Sequence, residues 1–493
     1  MADQTASRPA QSDSAVAADE YTAAMDWATT PIGGQGSPHA IIQATDAGGY
    51  RLLDALVSVL TDHLYQGQWL PEHLNDVELS LAAAFHGGEE LFRGGSYELA
   101  ASWWRPGAEA GHAPSAFNRA VALILLGEQL CDKPSATPDV IGQVAEFHLE
   151  AETLWLYCAE ADDPSASAQA SYYLARLLAG RVLLSLEEGD RAGAADLRWR
   201  AERCLRRAAH ARLPEAMNAY ARLIREVASQ VRRKPDFDPD GVIAACLDET
   251  ALGWFRQAAE AGHLEATYNT GVILGEMVKR LGAASHRGSD GRTRMDVLEL
   301  EQGSWLRRAA DAGHAGAMNN LAVLLDRWGR RLAVGLSFDV LDAATSAEVE
   351  RASGSWWRPG CDDDRTLLTH LEMECWALFE GAANAGYEPA MCNLGNLFLG
   401  FAARLRAMDP KYQSEKSTMA GELEGTARLW FRRAADAGDR AAMLDLALHL
   451  DQHAARLRTL DFFPAALAEA NDSEREAASW RRRPDEQVDS EGS

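Results

Sequence analysis

Five arginines recur at one position of a repeated segment and could together bind an anionic group. Each lies two residues after the start of the segment: Arg105, Arg206, Arg256, Arg307 and Arg432. Two residues turn a helix by about 200°, which directs these side chains away from the face that the segment start buries. A ladder of guanidinium groups could select an acidic peptide or a C-terminal carboxylate by bidentate pairing.

The same arginines have a second interpretation, in which they pair within their own helices. Four of them have an acidic residue four positions later, the pairs being Arg105 with Glu109, Arg256 with Glu260, Arg307 with Asp311 and Arg432 with Asp436. Each such pair contributes only about 0.2 to 0.5 kcal/mol. We favour this self-paired, solvated face, and recognition of a partner by the arginines is the alternative.

Two adjacent tryptophans form a second candidate contact. Trp356 and Trp357 lie in the segment 355–360, which duplicates 102–107 letter for letter as Ser-Trp-Trp-Arg-Pro-Gly. Exposed aromatic rings suit the centre of a protein interface, so the loop could present both tryptophans to a partner. The favoured interpretation is that both rings fold back as packing. The surrounding region, near 335–370, is either a binding loop or a decayed repeat.

Motifs of the common enzyme classes are missing from the chain. There is no GxxxxGK[ST] phosphate loop, no GxGxxG after a strand, no GxSxG elbow and no HExxH pair. His449 and His453 have the i, i+4 spacing of a chelating pair, but Leu450 replaces the glutamate of a metalloprotease. We therefore predict no catalytic residue, no metal and no cofactor.

The strongest signal is an internal repeat. The segment Trp254 to Gly262 (WFRQAAEAG) returns as WLRRAADAG from Trp305 and as WFRRAADAG from Trp430. Degenerate copies bring the number of units to seven, with starts at Trp103, Trp155, Cys204, Trp254, Trp305, Leu378 and Trp430. The period is close to fifty residues with one long interruption, which predicts an array of stacked units.

Each unit is predicted to be a pair of helices. In the unit from Trp305, the first helix buries Trp305, Ala309 and Ala312 and ends at Gly313, which can adopt the left-handed conformation. The second helix buries the similarly spaced Ala317, Leu321 and Leu324. Small residues on this face allow close helix packing, and stacking of neighbouring units buries the apolar stripe of each pair.

Two polar columns accompany the turn of the repeat. His112, His263 and His314 each follow the turn glycine, and we predict that they shape the turn rather than bind a ligand. A column of asparagines lies on the second helix, and we predict that it forms a buried hydrogen bond within the helix pair. Its members are Asn118, Asn269, Asn320 and Asn393.

The pattern W-x-x-x-A-A-x-A-G-[H/Y/D]-x-x-A-x-x-N-L-[AG] resembles the Sel1-like repeat family, which is related to the tetratricopeptide repeats. The resemblance covers residues 95 to 455 and departs from the family in its longer period. It implies an all-α fold, a right-handed superhelical α-solenoid of stacked two-helix repeats. It also implies an adaptor that holds other proteins together.

The expected organisation has five parts. Residues 1–45 are poor in large apolar side chains and are predicted to be a disordered tail, followed by a helical cap over 46–94. The repeat array spans 95–455 with the insertion near 335–370. A capping helix is expected over 456–480 and a disordered acidic tail over 481–493.

The composition limits the classes of partner. The net charge of −25 opposes binding to nucleic acid or to an anionic membrane surface, and no apolar run is long enough to insert into a bilayer. Without a secretion signal in its first residues, the protein is expected in the cytoplasm. We predict a non-catalytic scaffold or adaptor that binds another protein or peptide, with the oligomeric state left open. A repeat-based hydrolase or other ligand-binding enzyme linked to cell-wall chemistry, and a regulatory sensor, are the alternatives.

Overall fold

The computed structural model describes residues 77–131, 138–161, 163–187, 189–234, 236–284, 289–333, 364–407, 413–459 and 464–491. Within these ranges the chain forms sixteen α-helices and no strand. In chain order the helices are α1 Val77–Arg93, α2 Tyr97–Glu109, α3 Ala113–Cys131, α4 Pro138–Ala159, α5 Pro164–Glu187, α6 Arg191–His210, α7 Pro214–Arg232, α8 Val242–Glu260, α9 Leu264–Ala284, α10 Ser289–Asp311, α11 Ala315–Ala333, α12 Asp364–Asn384, α13 Glu388–Ala407, α14 Gln413–Asp436, α15 Arg440–Arg458 and α16 Pro464–Glu491.

The helices fall into two compact units that divide between His263 and Leu264, with α1–α8 in unit 1 and α9–α16 in unit 2. Inside each unit every helix packs against the helix that follows it in sequence. The fold is therefore an all-α solenoid, as predicted. The right-handed superhelix stays a prediction. None of the described helices has the length and apolar character needed to cross a membrane.

The turn after six of the seven repeated segments contains a residue with a positive φ. Gly313 has a φ of 88°, and its backbone N–H donates to the carbonyl of Ala310 at 2.9 Å. The N–H of His314 donates to the carbonyl of Ala309 at 3.0 Å, so these two bonds close the C-terminal end of α10. Glycines also occupy this position after α2, α8, α12 and α14.

Arg212 takes the place of the turn glycine after α6. Its φ is 63°, and among the described residues it is the one non-glycine residue with a positive φ. The backbone hydrogen bonds of this turn are nevertheless formed, since the N–H of Arg212 donates to the carbonyl of Ala209 at 2.9 Å. Arg212 adopts the left-handed conformation, which costs about 1 to 2 kcal/mol for a residue with a Cβ.

The buried stripe of the first helix differs in part from the prediction. In α10 the fully buried residues are Leu306 and Ala309, and Ala310 is buried beside them. Trp305 is buried at 8% exposure, whereas Ala312 is exposed because it lies in the last residues before the turn. The second-helix prediction is confirmed, since Ala317, Leu321 and Leu324 are all buried.

The burial pattern also shifts the start of the unit at Trp155 by one residue. Trp155, Cys158 and Ala159 are buried in α4 with the spacing that Phe255, Ala258 and Ala259 have in α8. Trp155 therefore corresponds to Phe255, and the unit starts at Leu154. Matching Trp155 to Trp254 by residue type is wrong, because the buried position of the segment is the residue after its start, which is Phe255 in α8.

Small residues on the second helices allow close approach of the next repeat. A Cβ atom added at Gly395 in α13 would lie 2.9 Å from the ring of Phe431 in α14. The same position in α9 is Gly271, where an added Cβ would lie 2.7 Å from the side chain of Leu306. The close approach is to the first helix of the next repeat, whereas the sequence predicts close approach of the two helices within one unit.

The ends of the array differ from the predicted boundaries. Residues 1–76, which include the predicted tail and most of the predicted cap, lie outside the described residues, as does the 334–363 segment. The last helix, α16, continues to Glu491 through the range predicted as a disordered tail from 481. Contacts to earlier helices hold it there, since Arg481 pairs with Asp451 in α15 and the Nη1 of Arg483 lies 3.4 Å from Asp436 in α14.

Candidate functional site

The arginine column is directed outward, but two of its members are bound by the next repeat. Arg307 in α10 pairs with Glu374 in α12. The Nε of Arg432 in α14 donates to Glu476 in α16 at 3.1 Å. In both cases the acceptor is a glutamate two helices further along the chain. These arginines join alternate helices of unit 2.

The other three members have different surroundings. The Nε of Arg206 donates to the hydroxyl of Tyr220 in α7 at 3.1 Å, so it ties α6 to the second helix of its own pair. Arg105 is exposed and Arg256 is half-buried. The five arginines therefore differ in their surroundings, and recognition of a partner by them stays a prediction. Trp356 and Trp357, the other predicted contact residues, lie outside the described residues.

A column of acidic residues was missed in the sequence. Asp248, Glu299, Glu372 and Glu424 each lie six residues before a repeat start, and their spacings of 51, 73 and 52 residues follow those of the repeat. Three of the four are buried, at 3% exposure for Asp248, 4% for Glu299 and 6% for Glu424. Each accepts hydrogen bonds or ion pairs from arginines near the end of a second helix. The signal was available as a fixed offset from the motif that the repeat search had already found.

In unit 2 the acids and arginines form a chain that crosses repeat boundaries. The sequence Ala-Ala-Arg-Leu-Arg ends both α13 (402–406) and α15 (454–458). Its first arginine binds the acid of its own pair, Arg404 to Glu372 and Arg456 to Glu424, the latter at 2.7 Å. Its second arginine binds the acid of the next helix, Arg406 to Glu424 and Arg458 to Glu474, the latter at 2.7 Å.

Glu424 is the central member of this chain. Burial would raise the pKa of its carboxyl group, but the hydrogen bond from Arg406 and the charge of Arg456 outweigh burial and lower the pKa. Glu424 is therefore a carboxylate at neutral pH. It holds the second helices of two successive pairs against one first helix.

Unit 2 has a groove of about 730 Å³ between α11, α12 and α13. Its floor comes from α12 and is apolar, since Leu371, Cys375 and Phe379 line it and are almost fully buried. Val323 on α11 reaches the groove with 46% of its surface exposed. Asn393, Asn396 and Arg404 supply polar atoms from α13. We name this feature the apolar groove.

The thiol in the apolar groove is not a nucleophile at neutral pH. Burial, together with the negative charge of Asp326, raises the pKa of Cys375 to about 12. Its Sγ donates to the backbone carbonyl of Ala322 in α11 at 3.3 Å. Cys375 therefore packs as a small apolar residue, and the groove offers apolar contact and amide hydrogen bonds to a ligand.

The polar columns of the turn and of the second helix hold neighbouring elements in place. The Nδ1 of His314 accepts the backbone N–H of Ala317 at 3.1 Å, which caps α11, and its ring stacks on Tyr268 in α9 with centroids 4.3 Å apart. The amide of Asn320 donates to the hydroxyl of Tyr268 at 3.3 Å, and that of Asn393 donates to Asn319 at 2.9 Å. These hydrogen bonds join second helices of successive pairs rather than the two helices of one pair.

The histidine pair at the spacing of a chelating motif has separate partners. The ring of His449 stacks on Phe431 with centroids 5.1 Å apart, and the Nε2 of His453 lies 3.1 Å from Glu469 in α16. Across the described ranges, no group of three or more histidine, cysteine, aspartate or glutamate side chains is placed to hold a metal ion.

Comparisons with known proteins add little to this description. No protein-family model and no curated protein matches the chain. Among solved structures, the chain is similar to a circular tandem repeat protein with novel repeat topology and enhanced subunit contact surfaces. The identity is 15% and the TM-score 0.26, over 98% of this chain and 100% of that chain. At that TM-score the fold assignment depends on the helices of this chain alone.

Proposed function

We propose that this protein is a non-catalytic interaction scaffold of the Sel1-like type, and that the apolar groove of unit 2 binds a peptide segment of a partner protein. The observation that carries the proposal is the combination of an apolar floor, the exposed Val323 and the amides of Asn393 and Asn396 in one groove. An apolar side chain would contact the floor, and the amides would bind the peptide backbone.

Several features support binding rather than catalysis. The thiol of Cys375 is protonated at neutral pH, and no metal or cofactor is needed for peptide binding. The net charge of −25 favours a protein partner over nucleic acid. A place in the cytoplasm is part of the same proposal.

The experiment is a selection of random peptides on the immobilised full-length chain, followed by affinity measurement with the selected peptide. Val323→Glu puts a charge against the apolar floor and should weaken binding about tenfold or more. Leu448→Glu is the matched control, because Leu448 occupies the position of Val323 two helix pairs later, at 51% exposure on α15.

Two results would overturn the proposal. If the selection yields no peptide with saturable binding, the groove is not a peptide site. If Val323→Glu and Leu448→Glu weaken the peptide equally, the effect comes from added negative charge and the site lies elsewhere. Equal far-ultraviolet circular dichroism of both variants shows that the fold is retained.

A further inference from the structure

The cleft that follows the apolar groove along unit 2 has a different lining. It lies between α13, α14 and α15, has a volume of about 440 Å³, and is one repeat further along than the apolar groove. The two share their acid and their arginine, since Glu424 corresponds to Glu372 and Arg456 to Arg404. We name the second feature the cationic cleft.

Polar residues replace apolar ones at two positions of the cationic cleft. His449 stands where α13 has Leu397 and where α11 has the buried Leu324. Arg428 stands where α12 has Trp376 and where α8 has Leu252, which is 1% exposed. Two positions that are apolar in some other repeats are thus ionisable in one cleft, although the position of Arg428 is also acidic in two earlier repeats, as Glu152 and Glu202. Such an exchange costs stability unless the polar groups have a use.

The charges of the cationic cleft do not balance. Three guanidinium groups line it, from Arg406, Arg428 and Arg456, against the single carboxylate of Glu424, which leaves a net charge of +2 with His449 neutral. Arg406 and Arg456 both bind Glu424. Arg428 is only partly exposed, and it forms no hydrogen bond or ion pair with any residue in the described ranges. A cationic concavity of this kind is notable on a chain with a net charge of −25.

Arg428 and His449 both bear the cost of burial. Burial lowers the pKa of the Arg428 guanidinium, opposed by the charges of Glu424 and of Glu469 in α16. Burial also lowers the pKa of His449, opposed by a hydrogen bond with Gln452 and by the charge of Asp445. Both side chains would be stabilised in their charged forms by an anion placed between them.

We propose that the cationic cleft binds a tetrahedral oxyanion of the phosphate class, either inorganic phosphate or the phosphoryl group of a small phosphate ester. The partly exposed guanidinium of Arg428 gives the planar, multiple donation that matches such an oxyanion. His449 and Gln452 supply further donors from α15, and a dianion neutralises the excess charge of the lining residues. The cleft is distinct from the apolar groove, so the site does not depend on peptide binding.

The first test measures binding of inorganic phosphate and of glycerol phosphate to the full-length chain by calorimetry, at constant ionic strength set with sodium chloride. We expect saturable binding of phosphate. If glycerol phosphate binds as well, the site accepts a phosphate ester, and if it does not, the site is closed around the free anion. Absence of saturable binding for both ligands would overturn the proposal.

The variants test the assignment of the residues. Arg428→Leu introduces the residue that an earlier repeat buries at this position and should weaken phosphate binding about tenfold or more. Arg433→Gln is the matched control on the same helix, since it removes one charge from an exposed arginine that stacks on Trp430 outside the cleft. Equal losses in the two variants would mean non-specific attraction and would overturn the site. Arg428→Gln serves as a second variant if the leucine alters the circular dichroism.

Sulfate provides a pH test because its charge does not change between pH 5 and pH 8. Protonation of His449 adds a donor and a charge, so sulfate should bind more tightly as the pH falls through the lowered pKa of that histidine. The charged groups that face His449 are Glu424 on α14 and Asp445 and Arg456 on its own helix. Replacement His449→Leu should abolish the pH dependence and His453→Gln should keep it. The reverse pattern would overturn the role of His449.

Discussion

Replacing Arg212 by glycine should stabilise unit 1. Arg212 has a φ of 63° at a turn where five other repeats have glycine, and its side chain is exposed. Releasing the left-handed strain of a residue with a Cβ gains about 1 to 2 kcal/mol. The greater freedom of glycine in the unfolded chain subtracts about 0.4 to 1 kcal/mol. The expected net gain is about 0.5 to 1 kcal/mol, which corresponds to a rise of about 1 to 4 °C in Tm.

The assay is thermal and urea unfolding of the full-length chain followed by far-ultraviolet circular dichroism. The reciprocal variant Gly262→Arg, at the same turn position with a φ of 90°, should lose about as much as Arg212→Gly gains. Arg207→Gly is the control for charge removal, and it should be destabilising by about 1 kcal/mol because Arg207 lies inside α6. An unchanged or lowered midpoint for Arg212→Gly would refute the assignment of strain to this residue.

Three further outcomes follow from the packing and from the pKa values. Gly395→Leu should destabilise unit 2 by about 1 to 3 kcal/mol in urea unfolding, because a Cβ there meets the next helix, whereas Gly421→Ala has open space and should be stabilising. Glu424→Gln should be destabilising by about 1 to 3 kcal/mol at pH 7. Folding lowers the pKa of Glu424, so its contribution to the free energy of unfolding is present above the ordinary pKa of 4.5 and is lost as the pH falls below that value. The stabilities of wild type and variant should therefore converge in acid. Cys375, with a pKa of about 12, should be alkylated much more slowly at pH 7 than the exposed Cys246, as peptide mass spectrometry would show.

The repeat made the helices predictable because each local signal occurs several times. The glycine that ends the first helix and the small residue that admits the next repeat are backbone and volume constraints, and such constraints allow few residue types. Gly313 and Gly395 were therefore interpretable from their types and spacing alone. A single copy of either signal would have been ambiguous.

Side-chain partners were harder to predict than helices. Two acids are possible partners for the guanidinium of Arg307: Asp311, one turn along its own helix, and Glu374, on a neighbouring helix. Sequence spacing displays only Asp311. The acid column that contains Glu424 lies six residues before the repeat start, and the residues between the acid and the start differ from unit to unit, so the repeated motif does not display it. Packing geometry therefore determines which partners the long side chains between repeats contact. Sequence periodicity carries no information about that geometry.

The alternation of acids and arginines also constrains how unit 2 can change in length. Each Ala-Ala-Arg-Leu-Arg ending needs one acidic acceptor in its own helix pair and one in the helix that follows. Glu474 of α16 is the last such acceptor and binds Arg458. Duplicating a whole helix pair adds one donor pair and one acceptor, so the alternation continues unbroken. Inserting or deleting a single helix leaves an acid or an arginine without its counterpart. Gene duplication and protein design can therefore lengthen this array only in whole pairs, with α16 kept as the terminal piece.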